Sequence, residues 1–160
     1  MSEGQAGKFG ALATIVGKSL DDIPDLPVFK TPPPGVYIWI IESCKEKKIN
    51  EKTAIVAEYV IVDTVELNNP EEYEDAEKMQ PGEKFSEAFW FDDPEKIDTT
   101  LGVLKLKFGG LGPHFGTTNL LEILDKMEGL QVKGIVGNRV DRKDATKVYP
   151  STKDIVVHTA

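Results

Sequence analysis

From Gly35 onward the chain carries long runs in which β-branched and aromatic residues alternate. VYIWIIES (36–43) mixes β-branched and aromatic residues, TAIVAEYVIVDTV (53–65) does so again, and KFSEAFWFDD (84–93) does so a third time after the turn signal Pro81-Gly82. Runs of this length and composition predict three strands. Between the first two, CKEKKINEKT is polar, short and basic, and is expected to be a connecting loop. The acidic stretch from Leu67 to Gln80 then becomes a long excursion between strands two and three.

The period changes after Asp93. That residue suits an N-cap with Pro94 at the first helical position, and Ile97, Leu101, Leu104 and Phe108 follow at helical spacing. Gly109, Gly110 and Gly112 are expected to break the helix. Asn119 with Glu122 three residues on has the form of a capping box ahead of Leu120, Leu121, Leu124 and Met127, and Gly129 closes that segment. LQVKGIVGNRV and DIVVHT read as the last two strands. The chain is therefore mainly β, in the order of a five-stranded OB-fold barrel, with one or two helices between strands three and four.

Residues 1–34 have a different character. Glycines at 4, 7, 10 and 17 precede LDDIPDLPVFKTPPPG, where five prolines oppose helix and interior strand. Leu20, Ile23, Leu26, Val28 and Phe29 are apolar enough to lie against a neighbour. The expected organisation is an extended arm over 1–34, docked on its own domain or on a second subunit, followed by one OB-fold domain over 35–160. No internal repeat is present.

Composition narrows the setting. The longest apolar run, Val36 to Ile41, is far short of the roughly 20 residues of a membrane helix. The N-terminus lacks the layout of a secretory signal. Cys44 is the single cysteine, so no internal disulfide is available and a cytoplasmic location is expected. The formal charge of −8 at first argues against a nucleic-acid partner. Its distribution changes that reading: residues 66–96 hold eleven acids and three lysines, and the other residues hold sixteen basic and sixteen acidic side chains. A neutral body with its acidity confined to one segment can present a basic groove elsewhere.

Little in the chain suggests an enzyme. His114 and His158 are the only histidines and have no second ligand at metal spacing. The acids at 71–77 lack the alternating pattern and central glycine of a calcium loop. GGLGPHFG has no following Lys-Ser/Thr and suits a helix end better than a phosphate loop. Cys44 has no evident catalytic partner, so the reading is a non-enzyme with no cofactor and no metal.

The basic residues carry more information. Lys45, Lys47, Lys48 and Lys52 lie in the first connection, and Arg139, Arg142, Lys143 and Lys147 lie in the last, with Tyr149 following. In an OB barrel these two connections flank one face, formed largely by strands two and three. Basic rims around that face would suit a phosphate backbone, and exposed rings between them would stack bases. Surface loops are also commonly charged for solubility alone. Among the aromatics, the face with Phe85, Phe89 and Phe91 reads as core and leaves Trp90 beside small residues as the best exposed ring. Tyr59 is a further candidate, although core filling is the commoner role for it and for Tyr37 and Trp39. Both faces of strands one and two are unusually apolar, which points to a covering layer, either the chain's own arm or a second subunit of a homo-oligomer.

LDDIPDLPVFKTPPPGVYIWIIESCKEKKINEK, IVAEYVIVD, PGEKFSEAFWFDD and the closing helix–strand–strand resemble the small phage-encoded single-stranded DNA-binding proteins with an OB-fold. The pattern is diffuse: a proline-rich lead-in, Pro-Gly-x-Tyr opening strand one, a Glu-Tyr second strand and Pro-Gly before the third. The resemblance implies non-specific binding of single-stranded DNA in phage replication and recombination, in the host-cell cytoplasm, with replication or recombination proteins as further partners. It points to the basic positions from Lys45 to Lys52 and Arg139 to Lys147 and to exposed sheet aromatics. Many such proteins carry a flexible acidic tail; this sequence closes on DIVVHTA, so either the acidic stretch at 66–80 stands in for one or such a tail has been removed. The competing reading is a protein–protein adaptor or virion component on an OB scaffold, since fold alone does not decide function.

Overall fold

The computed structural model describes residues 17, 19–22, 30–140 and 146–159. The rest of the expected arm, including Ile23, Leu26, Val28 and Phe29, lies outside the described residues, as do Arg142 and Lys143.

Strands β1 (Gly35–Ile49) and β2 (Lys52–Leu67) form one long antiparallel hairpin. Its turn is only Asn50 and Glu51, at φ of 50° and 68°. Two left-handed residues in succession match the right-handed twist of the flanking strands. The basic stretch expected as a loop is therefore strand nearly throughout, with Lys45 opposite Val56, Lys47 opposite Ala54 and Lys48 opposite Thr53. Lysine and glutamate are weak strand formers, but the β-branched run of β2 supplies them with a template.

Strand β3 (Lys84–Trp90) pairs with β2 between Ala54 and Val60. Strand β4 (Gln131–Val140) pairs with β1 between Gly35 and Ile40, and β5 (Val148–Val157) pairs with β4. All pairs are antiparallel, in the order β3-β2-β1-β4-β5. Strand β5 starts at Val148, six residues ahead of the expected Asp154. It is an edge strand, which is where the pleat tolerates a proline such as Pro150. Among the described residues β3 and β5 share no backbone ladder, so the five strands form an open sheet and not a closed barrel.

Alternation puts one face of this sheet in the core. Tyr37, Trp39 and Ile41 of β1, Tyr59 and Ile61 of β2, Phe85 and Phe89 of β3, and Val132 and Val136 of β4 are all buried there. Trp39, Tyr59 and Phe85 meet as an aromatic cluster with centroids 4.8–5.7 Å apart. A register shift between Ile41 and Ser43 keeps the parity across the bend: Ile41 faces Tyr59, and Cys44 faces Ala57. Gly134 lies under the Trp39 indole, and a Cβ there would sit 2.7 Å from it.

The helical layer follows β3. The Asp93 carboxylate accepts the Glu95 N–H at 3.0 Å, as an N-cap should, and the first turn (Pro94–Lys96) is 3₁₀ before α1 (Ile97–Phe108). Leu104 and Phe108 are buried, while Ile97 and Leu101 remain exposed. The α-helix ends at Phe108, where the glycines begin, and the chain continues as a 3₁₀ turn (Gly109–Leu111) into one turn of α2 (Gly112–Phe115). That turn ends at Gly116, φ 68°. Asn119 caps α3 (Leu120–Lys126) by accepting the Glu122 N–H at 3.1 Å. The Glu122 carboxylate turns to Lys126 at 3.7 Å, which leaves the capping box half made.

The described end of the arm docks on its own domain. The Lys30 N–H donates to the Lys84 carbonyl at 2.9 Å, the Asn68 N–H donates to the Pro34 carbonyl at 3.0 Å, and the Tyr37 hydroxyl donates to the Pro33 carbonyl. Pro32 and Pro33 are buried. Leu20 is exposed on the single chain, within a short 3₁₀ turn. Among the described residues no helix is long and apolar enough to cross a membrane.

Candidate functional site

The register places a regular patch on the sheet face opposite the core. Lys47, Ala54 and Trp90 form one cross-strand row, Lys45, Val56 and Ala88 the next, and Ser43, Glu58 and Ser86 the third. Each row takes one residue from each of β1, β2 and β3, because paired residues share a face. Trp90 is 36% exposed at the end of its row. From Trp90 to Ser86 the outward positions of β3 hold only small side chains, over about 14 Å of strand. The result is a flat floor with a ring at one end and lysines along one side.

A second aromatic lies beyond Ser86. Tyr149 of β5 is 40% exposed and opposes Arg139 of β4, whose guanidinium lies 5.8 Å from its ring centroid. Tyr149, Val148 and Pro150 form one wall of a cleft of about 250 Å³, and Lys30, Thr31 and Ser86 complete it. Arg139 and Tyr149 were expected on a loop. Both are in strands, and only the segment around Lys147 connects them.

The lysines are not equivalent. Lys47 pairs with Glu58 at 3.1 Å and Lys52 with Asp92 at 3.8 Å. Lys45, Lys48 and Lys147 are exposed and form no ion pair among the described residues. Alternation turns Lys45, Lys47 and Lys52 to the outer side of the hairpin and Lys48 to the other. Lys84, which sequence reasoning passed over, sits on the same outer face and pairs with Glu42 at 2.9 Å. Its outward parity in β3 was the signal that could have found it.

Tyr59 needs correcting as a surface ring, because its side chain is fully buried. It falls on the core side of β2 and its hydroxyl donates to Glu87 at 2.9 Å. Burial, reinforced by the Glu87 charge, pushes its pKa well up and keeps it a neutral donor. Glu87 is the centre of a buried network: Lys107 of α1 donates to it at 2.7 Å, to the Thr152 carbonyl at 2.6 Å and to Ser151 at 3.2 Å. The Thr152 N–H and hydroxyl both donate to the same carboxylate. This network is closed to solvent and ties β3, β5 and α1 together. Burial and then the nearby Glu128 charge push the Cys44 thiol up to about 11, which favours its protonated form at neutral pH.

The helical layer carries a different feature. An open groove of about 1070 Å³ is lined by Leu101, Lys105, Pro113, Leu120 and Ile123. Leu106 and Leu121 are the most exposed apolar side chains of the same layer, at 82% and 76%.

No protein-family model matches the chain, and none of the curated proteins matches its sequence.

Proposed function

We propose that this protein binds single-stranded DNA without sequence preference along the outer face of β1, β2 and β3. On this reading the sheet is a partly open OB-fold barrel, and the biological setting is phage replication and recombination in the host cytoplasm. The observation that carries the reading is the patch itself. An exposed Trp90 and an exposed Tyr149 lie at opposite ends of the small outward side chains of β3, with Lys45, Lys47 and Arg139 beside them and Glu58 in the row of Ser86. Rings stack on bases of any identity and cations hold the backbone, which together give sequence-tolerant affinity. The Glu87–Thr152 bridge supports the barrel part of the reading, because it draws the two open edges of the sheet together.

The test is a titration with oligo-dT followed by tryptophan fluorescence. The chain has two tryptophans, and Trp39 is fully buried, so a change in emission reports on Trp90. Saturable quenching at low salt is the expected result. No binding at low salt removes the reading.

A second reading, a protein–protein adaptor, is favoured by one observation, the apolar groove beside Leu101 and Leu120. Contiguous exposed apolar surface of this kind marks interaction sites. The same titration separates the two, since an adaptor leaves the oligonucleotide free.

A further inference from the structure

The cleft between the arm and β5 has a composition that the flat floor does not. Its walls are one half-exposed ring (Tyr149), two hydroxyls (Thr31 and Ser86), the stem of Lys30, and the apolar Val148 and Pro150. Among the described residues neither the Thr31 nor the Ser86 hydroxyl makes a hydrogen bond. At about 250 Å³ it falls below the roughly 300–1,000 Å³ of a cofactor or drug pocket, so it suits a group smaller than a whole cofactor.

Lys30 does not offer its charge to this cleft. Its ammonium pairs with Glu83 at 2.6 Å and donates to the Ala76 carbonyl at 3.1 Å, while its backbone N–H is held by the Lys84 carbonyl. Three bonds pin the arm at this residue and set Thr31 across from Tyr149. The arm is thus a structural wall of the cleft, and the cation beside Tyr149 is Arg139.

We propose that this cleft is a subsite for one unpaired nucleobase of the bound strand, with the N-terminal arm as one of its walls. The proposal rests on the single-strand reading above and deepens it. A ring supplies stacking, which every base accepts. Hydroxyls both donate and accept, so Thr31 and Ser86 meet the polar edge of any base without selecting one. Arg139, next to the ring, is placed for the phosphate of the same nucleotide. The base is the feature recognised, so a strand of sugar and phosphate alone leaves the cleft unfilled.

The experiment compares oligo-dT with an abasic strand of equal length, using the full chain and anisotropy of an end-labelled strand. Wild type should bind oligo-dT more tightly than the abasic strand. Tyr149→Ala should weaken oligo-dT by about 5- to 150-fold and leave abasic binding unchanged. The double variant Thr31→Val with Ser86→Ala keeps the ring and should lose severalfold on oligo-dT alone. Melting curves check that each variant is folded; should Tyr149→Ala be unstable, the double variant carries the test. An equal loss on both strands, or no loss on either, overturns the subsite while leaving the single-strand reading standing. If wild type binds neither strand, both fall.

Discussion

Glu87 of β3 and Thr152 of β5 join the two edges of a sheet that, among the described residues, no backbone ladder closes. The Glu87 carboxylate accepts the Thr152 N–H at 3.2 Å and its hydroxyl as well, so a side chain takes the place of a missing strand pairing. Lys107 completes the arrangement by neutralising Glu87 and bonding the Thr152 carbonyl. Removing one partner of a buried pair leaves the other charge unpaired, at a cost of about 3–5 kcal/mol. Lys107→Ala should therefore lower unfolding stability by about that much in a denaturant titration. Replacing Glu87 and Lys107 together with apolar residues should cost less than the sum of the single changes. Strict additivity would mean the two do not act as a unit.

Trp90 and Tyr59 should separate cleanly. Trp90→Ala removes an exposed ring and should weaken oligo-dT binding by about 1–3 kcal/mol with little change in melting. Tyr59→Ala empties a fully buried site and strips a donor from Glu87, so about 3–5 kcal/mol of stability should go. A Trp90→Ala protein that fails to fold would invert the assignment of faces.

Strand alternation made much of this legible in the sequence. Phe85 and Phe89 inward with Trp90 outward, the Asp93 and Asn119 caps, and the helices after strand three all follow from period and capping chemistry. The hairpin 44–57 was not legible, because lysine and glutamate mark loops by composition, whereas here the cross-strand template of β2 decides. The start of β5 was hidden by Tyr149-Pro150, which reads as a turn until the strand is known to be an edge. The ion pairs that occupy Lys47 and Lys84 depend on register across strands, which no local pattern reveals. The wall that Lys30 and Thr31 give the cleft depends on where the arm crosses β3, again a long-range property.

Gly134 should be intolerant of even one methyl group. Its Cβ would meet the Trp39 ring at 2.7 Å and the Lys153 carbonyl at 3.1 Å. Both neighbours are fixed, one by the aromatic cluster and one by the β4–β5 ladder. Gly134→Ala should cost about 1–3 kcal/mol by overpacking. A melting temperature equal to wild type would show that the indole moves freely.

The arm latch should respond to acid. The hydrogen bond from Lys30, the largest cause, holds the Glu83 pKa below the ordinary 4.5. A depressed carboxyl stabilises the folded arrangement above the unfolded value and loses that contribution as pH falls through the folded one. The Lys30–Glu83 contact should thus be intact at neutral pH and release only below the usual carboxyl range. The Lys30 amide resonance, followed by NMR from pH 6 downward, should shift in wild type and stay flat in Glu83→Gln over the same window. Matching titrations in the two proteins would place the latch elsewhere.

Salt dependence should count the free cations and not all of the basic residues. Each phosphate neutralised on a single strand contributes about 0.7 to the slope of log K against log salt. Lys47 and Lys52 are already held by Glu58 and Asp92, and Lys48 lies on the far side of the hairpin. Among the described candidates that leaves Lys45, Arg139 and Lys147 for the strand, and these three contribute about −2 to the slope. Recruiting Lys47 would exchange one carboxylate for one phosphate with little net gain. Glu58→Gln frees it without touching the core: affinity for oligo-dT should rise severalfold and the slope should steepen by about 0.7. The exposed pair itself contributes at most about 1 kcal/mol, so folding should hold. An unchanged slope in Glu58→Gln, with wild-type affinity, would mean that the strand does not pass Lys47 and that the first row of the patch lies off its path.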